Sequence, residues 1–417
     1  MRAVAIVDGE HYAAVVRDAL EELPYDFAAA VLVGGQEKLR GGEDYGVPLE
    51  ADVESAIATY APDVVVDLSD EPVLGPRERL ALVSRVLARG VPYVGADFRF
   101  EPPERASFGV PSIAVVGTGK RVGKTAVTGH LARLLSADHD LIVVAMGRGG
   151  PLEPEVIRAP PTVQGLLDLS RSGRHAASDH LETAALVGVP TVGCRRCGGG
   201  LAGAVATSNV AEGARVAASL DPDLVVFDGS GAAFPPIDAD RTVLVAGAHQ
   251  DPDVVAGYLN VYRLLVADLV VLTMAEPGAE LARIQERVRA CVRPGVPVVT
   301  TTLHPRPLTT VRGRSVAYFS AAPAHALARL RDHLENVFGA HVVHVSGNLA
   351  DRRALRDELE TVSAEVYLVE LKAAAIDVVA EAASERGAEV VLAANDVVAV
   401  PGEPDLDELL LGMAKFQ

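Results

Sequence analysis

The sequence GTGKRVGKT, residues 117–125, combines the groups that hold the phosphates of a nucleotide. It follows an apolar run at 112–116 and precedes an amphipathic stretch, which predicts a strand, a glycine-rich turn and a helix. In that arrangement backbone N–H groups and the helix N-terminus surround the phosphates, Lys124 reaches the β- and γ-phosphate oxygens, and the Thr125 hydroxyl ligates Mg²⁺. We therefore predict a P-loop that binds ATP and Mg²⁺, with these nucleotide contacts: Gly117, Thr118, Gly119, Lys120, Arg121, Val122, Gly123, Lys124, Thr125 and Ala126.

The spacing inside this loop differs from that of the standard P-loop motif. Thr118 occupies the position of the usual first glycine, and Gly117 comes one residue earlier. The loop also holds Lys120, one of only five lysines in the chain. A second cation beside the γ-phosphate neutralises charge that develops during phosphoryl transfer. We assign a catalytic role to Lys120 and to Lys124; for Lys120 the alternative is a solvated loop lysine.

Asp228 follows the apolar residues 224–227 and precedes Gly229 and Gly231. A strand that ends there brings the carboxylate to the carboxyl edge of a parallel sheet, where P-loop enzymes hold Mg²⁺ with an aspartate. We assign Asp228 to catalysis and, together with Thr125, to the metal. The alternative is an aspartate that only caps a helix.

Three arginines lie in two glycine-rich segments. Arg148 is in GRGG, residues 147–150, and Arg195 and Arg196 are in CRRCGGG, residues 194–200. Glycine neighbours let a guanidinium approach a phosphate in bidentate geometry, so we assign all three to the substrate, with exposed surface arginines as the alternative. Cys194 and Cys197 have CxxC spacing, but Cys291 is the only other cysteine, which excludes a four-cysteine zinc site.

Several weaker candidates stand in loops. His11, beside Asp8 and Glu10, and Lys372, directly after an apolar run, are assigned to the substrate because strand ends face ligands in such sheets. Asp179 and His180 form another pair of this kind. Solvated or capping side chains are the alternative at each of these positions. For the adenine base the candidates are residues 301–308 and 319–323, and from the second we assign Ser320, Ala321 and Ala322; an ordinary strand-to-helix loop is the alternative.

The elements that position these residues alternate between apolar runs and helix-length segments throughout the chain. This alternation predicts an α/β fold: a central P-loop NTPase-type doubly wound parallel sheet, an N-terminal Rossmann-like α/β domain and a small C-terminal α/β domain. The boundaries we expect are 1–105, 106–338 and 339–417. The prolines at 102, 103 and 111 mark the first of them, and a strand at 316–320 is placed last in the P-loop domain.

Composition excludes several classes of protein. Of the 417 residues, 49% are hydrophobic and 23% are charged, which excludes disordered and fibrous chains. The formal net charge of −18 argues against a nucleic-acid partner. Apolar runs are too short to cross a membrane, and three cysteines do not make a disulfide framework, so we expect a cytoplasmic protein.

Two family resemblances follow from these motifs. The form GTxxxVGKT resembles the dethiobiotin-synthetase-like branch of P-loop proteins. DGEHY (8–12), GTGKRVGKT, MGRGGP (146–151), GCRRCGGGLAG (193–203) and FDGSGAAFPP (227–236), in that order, resemble the cyclic 2,3-diphosphoglycerate synthetase family over nearly the whole chain.

The second resemblance implies a cytoplasmic homodimer that uses ATP and Mg²⁺ to join the two phosphates of 2,3-bisphosphoglycerate into an intramolecular anhydride, releasing ADP and phosphate. Two alternatives remain. One is a dethiobiotin-synthetase-like ATP-dependent ligase that acts on another small acid. The other is a P-loop nucleotide switch that responds to a protein partner.

Overall fold

The structure is a computed structural model that describes residues 1–39, 41–275 and 279–416. It begins with a six-stranded sheet of order β3-β2-β1-β4-β5-β6, in which β6 alone is antiparallel to its neighbour. The order 3-2-1-4-5 is that of a Rossmann-type half-sheet. Its elements are β1 (Arg2–Val7), α1 (Ala13–Glu22), β2 (Asp26–Leu32), β3 (Leu49–Glu50), α2 (Val53–Tyr60), β4 (Val64–Asp67), α3 (Pro76–Ala88), β5 (Tyr93–Val94) and β6 (Arg99–Phe100).

The second segment builds the P-loop part of a larger sheet, in the order β10-β11-β9-β13-β8-β15-β16-β17. All of these strands are parallel except β10. The elements are β7 (Ala106–Ser107), β8 (Ser112–Gly117), α4 (Lys124–Leu135), β9 (Leu141–Gly147), β10 (Glu155–Ile157), α5 (Val163–Arg171), α6 (Asp179–Val187), β11 (Thr191–Cys197), β12 (Thr207–Ser208), α7 (Val210–Ala218), β13 (Leu224–Asp228), β14 (Ile237–Asp238), β15 (Arg241–Gly247), α8 (Pro252–Val255), α9 (Asn260–Val266), β16 (Leu269–Thr273), α10 (Ala279–Cys291) and β17 (Val298–Pro307).

The remaining segment continues the same sheet in the order β17-β21-β20-β18-β19. Its elements are β18 (Ser315–Phe319), α11 (Leu327–Phe338), β19 (His341–Ser346), α12 (Arg352–Thr361), β20 (Val366–Glu370), α13 (Glu381–Glu385), β21 (Glu389–Ala399) and α14 (Leu406–Met413), with a π-helical turn at Ala375–Ala380. We expected the strand at 316–320 in the P-loop unit. That placement was wrong: β18 pairs with β19 and β20. An apolar run shows that a strand forms but not which neighbour it joins.

β17 belongs to both parts of the large sheet. Its first residues pair in parallel with β16, and residues 301–307 pair antiparallel with β21. At about 3.3 Å per residue, this second part reaches roughly 20 Å beyond the first. Because β18, β19 and β20 run parallel to β21, their carboxyl ends point back toward the carboxyl ends of the P-loop strands. The two sets of strand ends face each other across a cleft.

The P-loop strands form because their residues are buried on both faces. β8, β9, β13 and β16 are apolar and buried from end to end, as expected of a parallel sheet covered by helices. One face packs on α4 and α14, and the other packs on α7 and α9, of which α9 packs in turn on α3 of the N-terminal segment. In the described residues, no helix is both apolar and long enough to span a membrane.

The N-terminal sheet is docked so that its carboxyl edge lies on the same side as that of the P-loop sheet. Arg77, in the first turn of α3, forms a bidentate ion pair with Asp253 in α8, at 2.6 and 2.9 Å. α3 follows the carboxyl end of β4, and α8 follows the carboxyl end of β15. Ser84 adds a hydrogen bond to the carbonyl oxygen of Tyr258 at 3.1 Å.

Candidate active site

The glycine-rich loop lies between β8 and α4, as its sequence predicts. Arg121 and Gly123 have φ values of 59° and 77°, the left-handed conformation that turns the chain into the helix at Lys124. A Cβ atom at Gly117 would stand 2.8 Å from the carbonyl oxygen of Gly231, so a side chain does not fit there. Lys120 and Arg121 are exposed on the loop.

Three contacts fix the loop to neighbouring strand ends. The Thr118 N–H donates to the carbonyl oxygen of Val245 at 2.9 Å, and its hydroxyl donates to Gln250 Oε1 at 2.8 Å. The Thr273 hydroxyl donates to the carbonyl oxygen of Val122 at 2.6 Å. The loop is therefore held in shape by a backbone carbonyl of β15 and by two side chains further along the chain, which a local motif does not reveal.

Lys124 and Asp228 form an ion pair at the floor of the cleft. The Asp228 side chain is 1% exposed at the end of β13 and accepts a second hydrogen bond from the Thr128 hydroxyl at 2.7 Å. Thr128 was not among our expected residues. It lies one helical turn after Lys124, on the same face of α4, and this i, i+4 spacing is the signal that predicts the contact.

The donor set fits a Mg²⁺–nucleotide complex. A carboxylate and a hydroxyl are the oxygen ligands that Mg²⁺ prefers, and Asp228 and Thr125 would supply them. Lys124 and Asp228 now neutralise each other. Nucleotide binding would exchange this ion pair, with the lysine turning to phosphate oxygens and the aspartate to the metal.

Asp179, at the start of α6, also reaches this region. Its Oδ2 atom would lie 3.0 Å from a Cβ atom at Gly147, so its carboxylate packs against the end of β9. Burial raises the pKa of Asp179, and the charge of Asp228 raises it further, while Lys124, Arg148 and Lys372 act in the opposite direction. The buried acid thus lies within electrostatic reach of three cations.

Arg196 faces the P-loop from β11. Its Nη1 and Nη2 atoms donate to the carbonyl oxygens of Gly198 and Ser230 at 3.0 and 2.9 Å. Burial lowers the pKa of Arg196, and repulsion from Arg148 lowers it further. Arg195 is the preceding residue of the strand and points to the opposite face; its backbone N–H donates to Asn209 Oδ1 at 2.7 Å. The structure therefore brings Arg196, and not Arg195, to the P-loop side.

Lys372 reaches the cleft from the C-terminal segment, where its Nζ atom lies 3.8 Å from Glu182 Oε1 on α6. Burial raises the pKa of Glu182 to about 7 against the opposing effect of Lys372. Burial lowers the pKa of Lys372, but the charges of Glu182, Glu370 and Asp179 outweigh this effect, and its pKa is raised overall.

The segment Ser320, Ala321 and Ala322 lies beside Glu370, not beside the P-loop strands. The Ala321 N–H donates to Glu370 Oε2 at 3.2 Å, and Tyr318 and Asn395 donate to its Oε1 at 3.2 and 3.1 Å. The segment belongs to the C-terminal side of the cleft. Its contact with adenine stays a prediction.

His11 belongs to a different cluster, at the carboxyl edge of the N-terminal sheet. Its Nδ1 atom lies 2.9 Å from Asp8 Oδ1, and its Nε2 atom lies 3.4 Å from Asp70 Oδ2. Asp8 is fully buried and also accepts hydrogen bonds from the backbone N–H groups of Glu10 and Asp70. In the described part of the chain, none of the contacts of His11 involves the P-loop cleft.

Comparison with known proteins identifies the family of this chain. Three family models described as cyclic 2,3-diphosphoglycerate synthetase domains match the chain in sequence: the N-terminal domain over residues 2–101, the P-loop domain over 112–302 and the C-terminal domain over 307–396. The chain belongs to the cyclic 2,3-diphosphoglycerate synthetase family. The resemblance drawn from the sequence motifs is confirmed, and the chain is an enzyme of the ATP-dependent ligase type.

Relatives that carry this name match almost end to end. The synthetase of Rubrobacter xylanophilus is 53% identical, covering 100% of this chain and 97% of the relative. That of Thermococcus gammatolerans is 45% identical, covering 99% and 97%. That of Methanothermus fervidus is 39% identical, covering 96% and 93%. Among solved structures, LpxK from Aquifex aeolicus in complex with ATP covers 81% of this chain and 96% of its own, with a TM-score of 0.45 and 16% identity, too little to support an argument about this chain.

Proposed function

We propose that this enzyme uses ATP and Mg²⁺ to convert 2,3-bisphosphoglycerate into cyclic 2,3-diphosphoglycerate, with release of ADP and phosphate. The observation that carries the proposal is the gathering of Lys124, Arg148, Arg196 and Lys372 around one cleft of an acidic protein. A substrate with two phosphates and a carboxylate, next to a nucleoside triphosphate, needs several fixed cations.

Each group in the cleft has a role in this reaction. Lys124 and the loop amides would bind the ATP phosphates, and Thr125 and Asp228 would hold Mg²⁺, which when bound would neutralise negative charge on the phosphates. Lys120, exposed on the loop, is the cation proposed for the transferring phosphoryl group.

The substrate is proposed to bind opposite the nucleotide. Arg148 and Arg196 would take its phosphates, and Lys372 would approach from the other wall of the cleft. Asp179, between these cations, would orient Arg148. The assignment of Arg195 and His11 to the substrate remains a prediction that the contacts described above do not favour.

The reaction needs no nucleophilic side chain. The γ-phosphoryl group moves from ATP to an oxygen of one substrate phosphate, and its bond to ADP breaks. An oxygen of the other phosphate then attacks the inner phosphorus of the new diphosphate and expels inorganic phosphate, which closes the ring. The residues of the cleft contribute by positioning the two polyanions and by neutralising their charge.

The experiment that tests this function is a ³¹P NMR assay with ATP, Mg²⁺ and 2,3-bisphosphoglycerate. We expect a cyclic anhydride product and release of ADP in equal amounts. If 2,3-bisphosphoglycerate fails to stimulate ADP release while another phosphorylated acid from a panel does so, the substrate assignment is wrong. If ADP release responds to none of them, the ligase reaction itself is wrong.

We further propose a cytoplasmic homodimer. Cys194, Cys197 and Cys291 are all free thiols, which suits a reducing compartment. The dimer follows from the family resemblance, and light scattering on the purified enzyme would test it.

A further inference from the structure

The side chain of Arg263, on α9, is buried behind the anion-binding wall of the cleft, with 3% of its surface exposed. All five of its N–H groups have acceptors, and every acceptor is neutral. They are Ala232 O (2.9 Å from Nε and 2.7 Å from Nη2), Leu201 O (3.1 Å from Nη2), Leu259 O (3.0 Å from Nη1) and Asn260 Oδ1 (3.2 Å from Nη1).

The positive charge of Arg263 has no carboxylate partner in the described residues. Burial lowers its pKa to about 10, which leaves it charged at neutral pH. Its aromatic neighbour, Phe234, lies 5.9 Å from the guanidinium carbon. Removing a cation from water without a counter-charge is costly, so this protein keeps the charge there at the expense of stability.

Arg263 joins two segments that we call the glycine loops, residues 198–204 and 229–234. Its Nη2 atom donates to Leu201 in the first loop and to Ala232 in the second. The N–H of Phe234 adds a direct hydrogen bond to the carbonyl oxygen of Gly203 at 2.9 Å. The two loops are therefore held together from the interior side.

Arg196 makes the matching connection from the cleft side, because it also bridges the two glycine loops, through Gly198 and Ser230. The second glycine loop also contacts the P-loop, because the Gly117 N–H donates to the carbonyl oxygen of Gly231 at 3.1 Å. A change in the position of the glycine loops would thus move Arg196 relative to the nucleotide.

Asn260 extends the network to the P-loop itself. Its Oδ1 accepts from Arg263, and its Nδ2 atom donates to the carbonyl oxygens of Val254 and Thr118, at 2.8 and 3.5 Å. One buried side chain therefore connects, directly or through one neighbour, the two glycine loops and the P-loop.

We propose that Arg263 is a positioning residue for the polyanion opposite the nucleotide. It fixes the glycine loops so that Arg196 faces the cleft, and its uncompensated charge favours binding of a polyanion there. This inference rests on the proposed function for the presence of a second polyanion. The bound phosphates would be the counter-charge that the folded protein lacks at this point.

The test compares Arg263→Lys, which keeps the positive charge but not the five N–H donors of the guanidinium group, with Arg263→Met, which loses both. Arg293→Met is the matched control, because Arg293 also donates to a backbone carbonyl near α9, that of Ala267 at 2.7 Å, but is half exposed and pairs with Asp268. Steady-state assays give kcat and KM, and calorimetry in the presence of MgADP gives the affinity for 2,3-bisphosphoglycerate and for inorganic pyrophosphate.

We expect Arg263→Lys to raise the KM for 2,3-bisphosphoglycerate about tenfold with little change in MgADP affinity, and Arg263→Met to raise it further. Arg293→Met should stay within twofold of wild type. Arg263→Lys retains the charge and is expected to fold, so the test does not depend on Arg263→Met. A KM within twofold of wild type in Arg263→Lys and Arg263→Met, or equal losses of bisphosphoglycerate and MgADP affinity, would overturn the proposal.

A double-mutant cycle separates positioning from a general structural role. In an Arg196→Gln background, Arg263→Lys should change the KM less than threefold, because the side chain that it positions is gone. Independent, multiplicative effects would contradict the inference. If the wild-type enzyme binds pyrophosphate but does not turn over 2,3-bisphosphoglycerate, the proposed function fails, and the pyrophosphate affinities of the same variants still decide the role of Arg263.

Discussion

Asp228 and Asp67 have the same local setting in two different sheets. Each ends an apolar parallel strand, each side chain is 1% exposed, and each pairs with one cation, Lys124 or Arg79. Asp67 also accepts hydrogen bonds from the Tyr93 hydroxyl at 2.7 Å and from the N–H of Ser69 at 2.9 Å.

The difference lies in what surrounds the pair. In the N-terminal sheet the same edge also holds Asp8 and Asp70, two carboxylates that both contact the imidazole of His11. In the P-loop cleft, Arg148 and Arg196 add two further cations that repel each other, and neither forms an ion pair with a carboxylate among the described residues. A buried aspartate at a strand end therefore does not by itself indicate an anion-binding cleft; the additional cations near it do. The predictions below test this contrast, from the largest expected effect to the smallest.

Lys124→Ala should lower kcat by about 10³-fold or more, because the lysine would stabilise the charge of the transferred phosphoryl group. Arg79→Ala is the matched change in the N-terminal sheet. It should leave kcat within threefold and lower the melting temperature, since Asp67 loses a partner. Coupled ADP-release assays and thermal unfolding give both quantities. A loss of kcat in Arg79→Ala as large as that in Lys124→Ala would remove the distinction between the two regions.

Asp179→Asn should lower kcat about 10-fold to 100-fold, the range typical of groups that orient others. The removed charge lies within reach of Lys124, Arg148 and Lys372, so the cations would repel one another more strongly. The same steady-state assay measures the effect, and circular dichroism checks the fold. A folded variant with wild-type kcat would show that Asp179 does not contribute to catalysis.

Glu182→Gln should remove a pH dependence of the KM for 2,3-bisphosphoglycerate, which we expect to change a few fold near pH 7. Burial raises the pKa of Glu182 to about 7, so Glu182 is ionised and pairs with Lys372 above that pH and becomes neutral below it. A raised carboxyl pKa stabilises the folded state, fully so below the unfolded value of 4.5, and this contribution is lost as the pH rises from 4.5 to about 7.

The affinity for the substrate should follow the same titration. With Glu182 neutral, Lys372 is released for an anion, and the KM for 2,3-bisphosphoglycerate should be lower at pH 6 than at pH 8. In Glu182→Gln the KM should be low at both values. A KM profile for the variant that still follows the wild-type curve would assign the titration to another group.

His11→Ala should have the smallest effect on catalysis, with kcat and KM within twofold of wild type. Its contacts are with Asp8 and Asp70, and its loss should lower the free energy of unfolding by about 1 kcal/mol. Urea unfolding and initial-rate assays measure the two effects. A tenfold rise in KM would place the N-terminal cluster at the substrate.

The sequence was most informative where a function depends on consecutive residues. The strand, loop and helix around Lys124 could be predicted because the glycines, the lysine and the flanking apolar runs are neighbours in the chain. Asp228 could be placed at a strand end by the same reasoning. The sequence motif does not show which of Arg195 and Arg196 faces the cleft. In the structure, the alternation of side chains along the strand sends them to opposite faces.

Residues that act through distant contacts escaped prediction. Arg263 looks like any helical arginine, and its role depends on carbonyl groups 31 and 62 residues away in the chain. His11 was assigned by analogy of position, since every parallel sheet has a carboxyl edge and the sequence does not show which edge is electropositive. The pairing of β18 likewise depends on β17, which extends beyond the P-loop strands and pairs with β21. No local sequence pattern predicts this extension.

The shared strand β17 has a practical consequence for dissecting the enzyme. A fragment that stops before β21 would leave residues 301–307 as a long unpaired edge, a template for pairing with other copies. It would also remove α14, which packs on the P-loop helix α4 and shares a buried core with its Leu131 and Leu135. Shortened versions of this chain should therefore precipitate when expressed alone, and studies of nucleotide binding are best made on the full-length polypeptide.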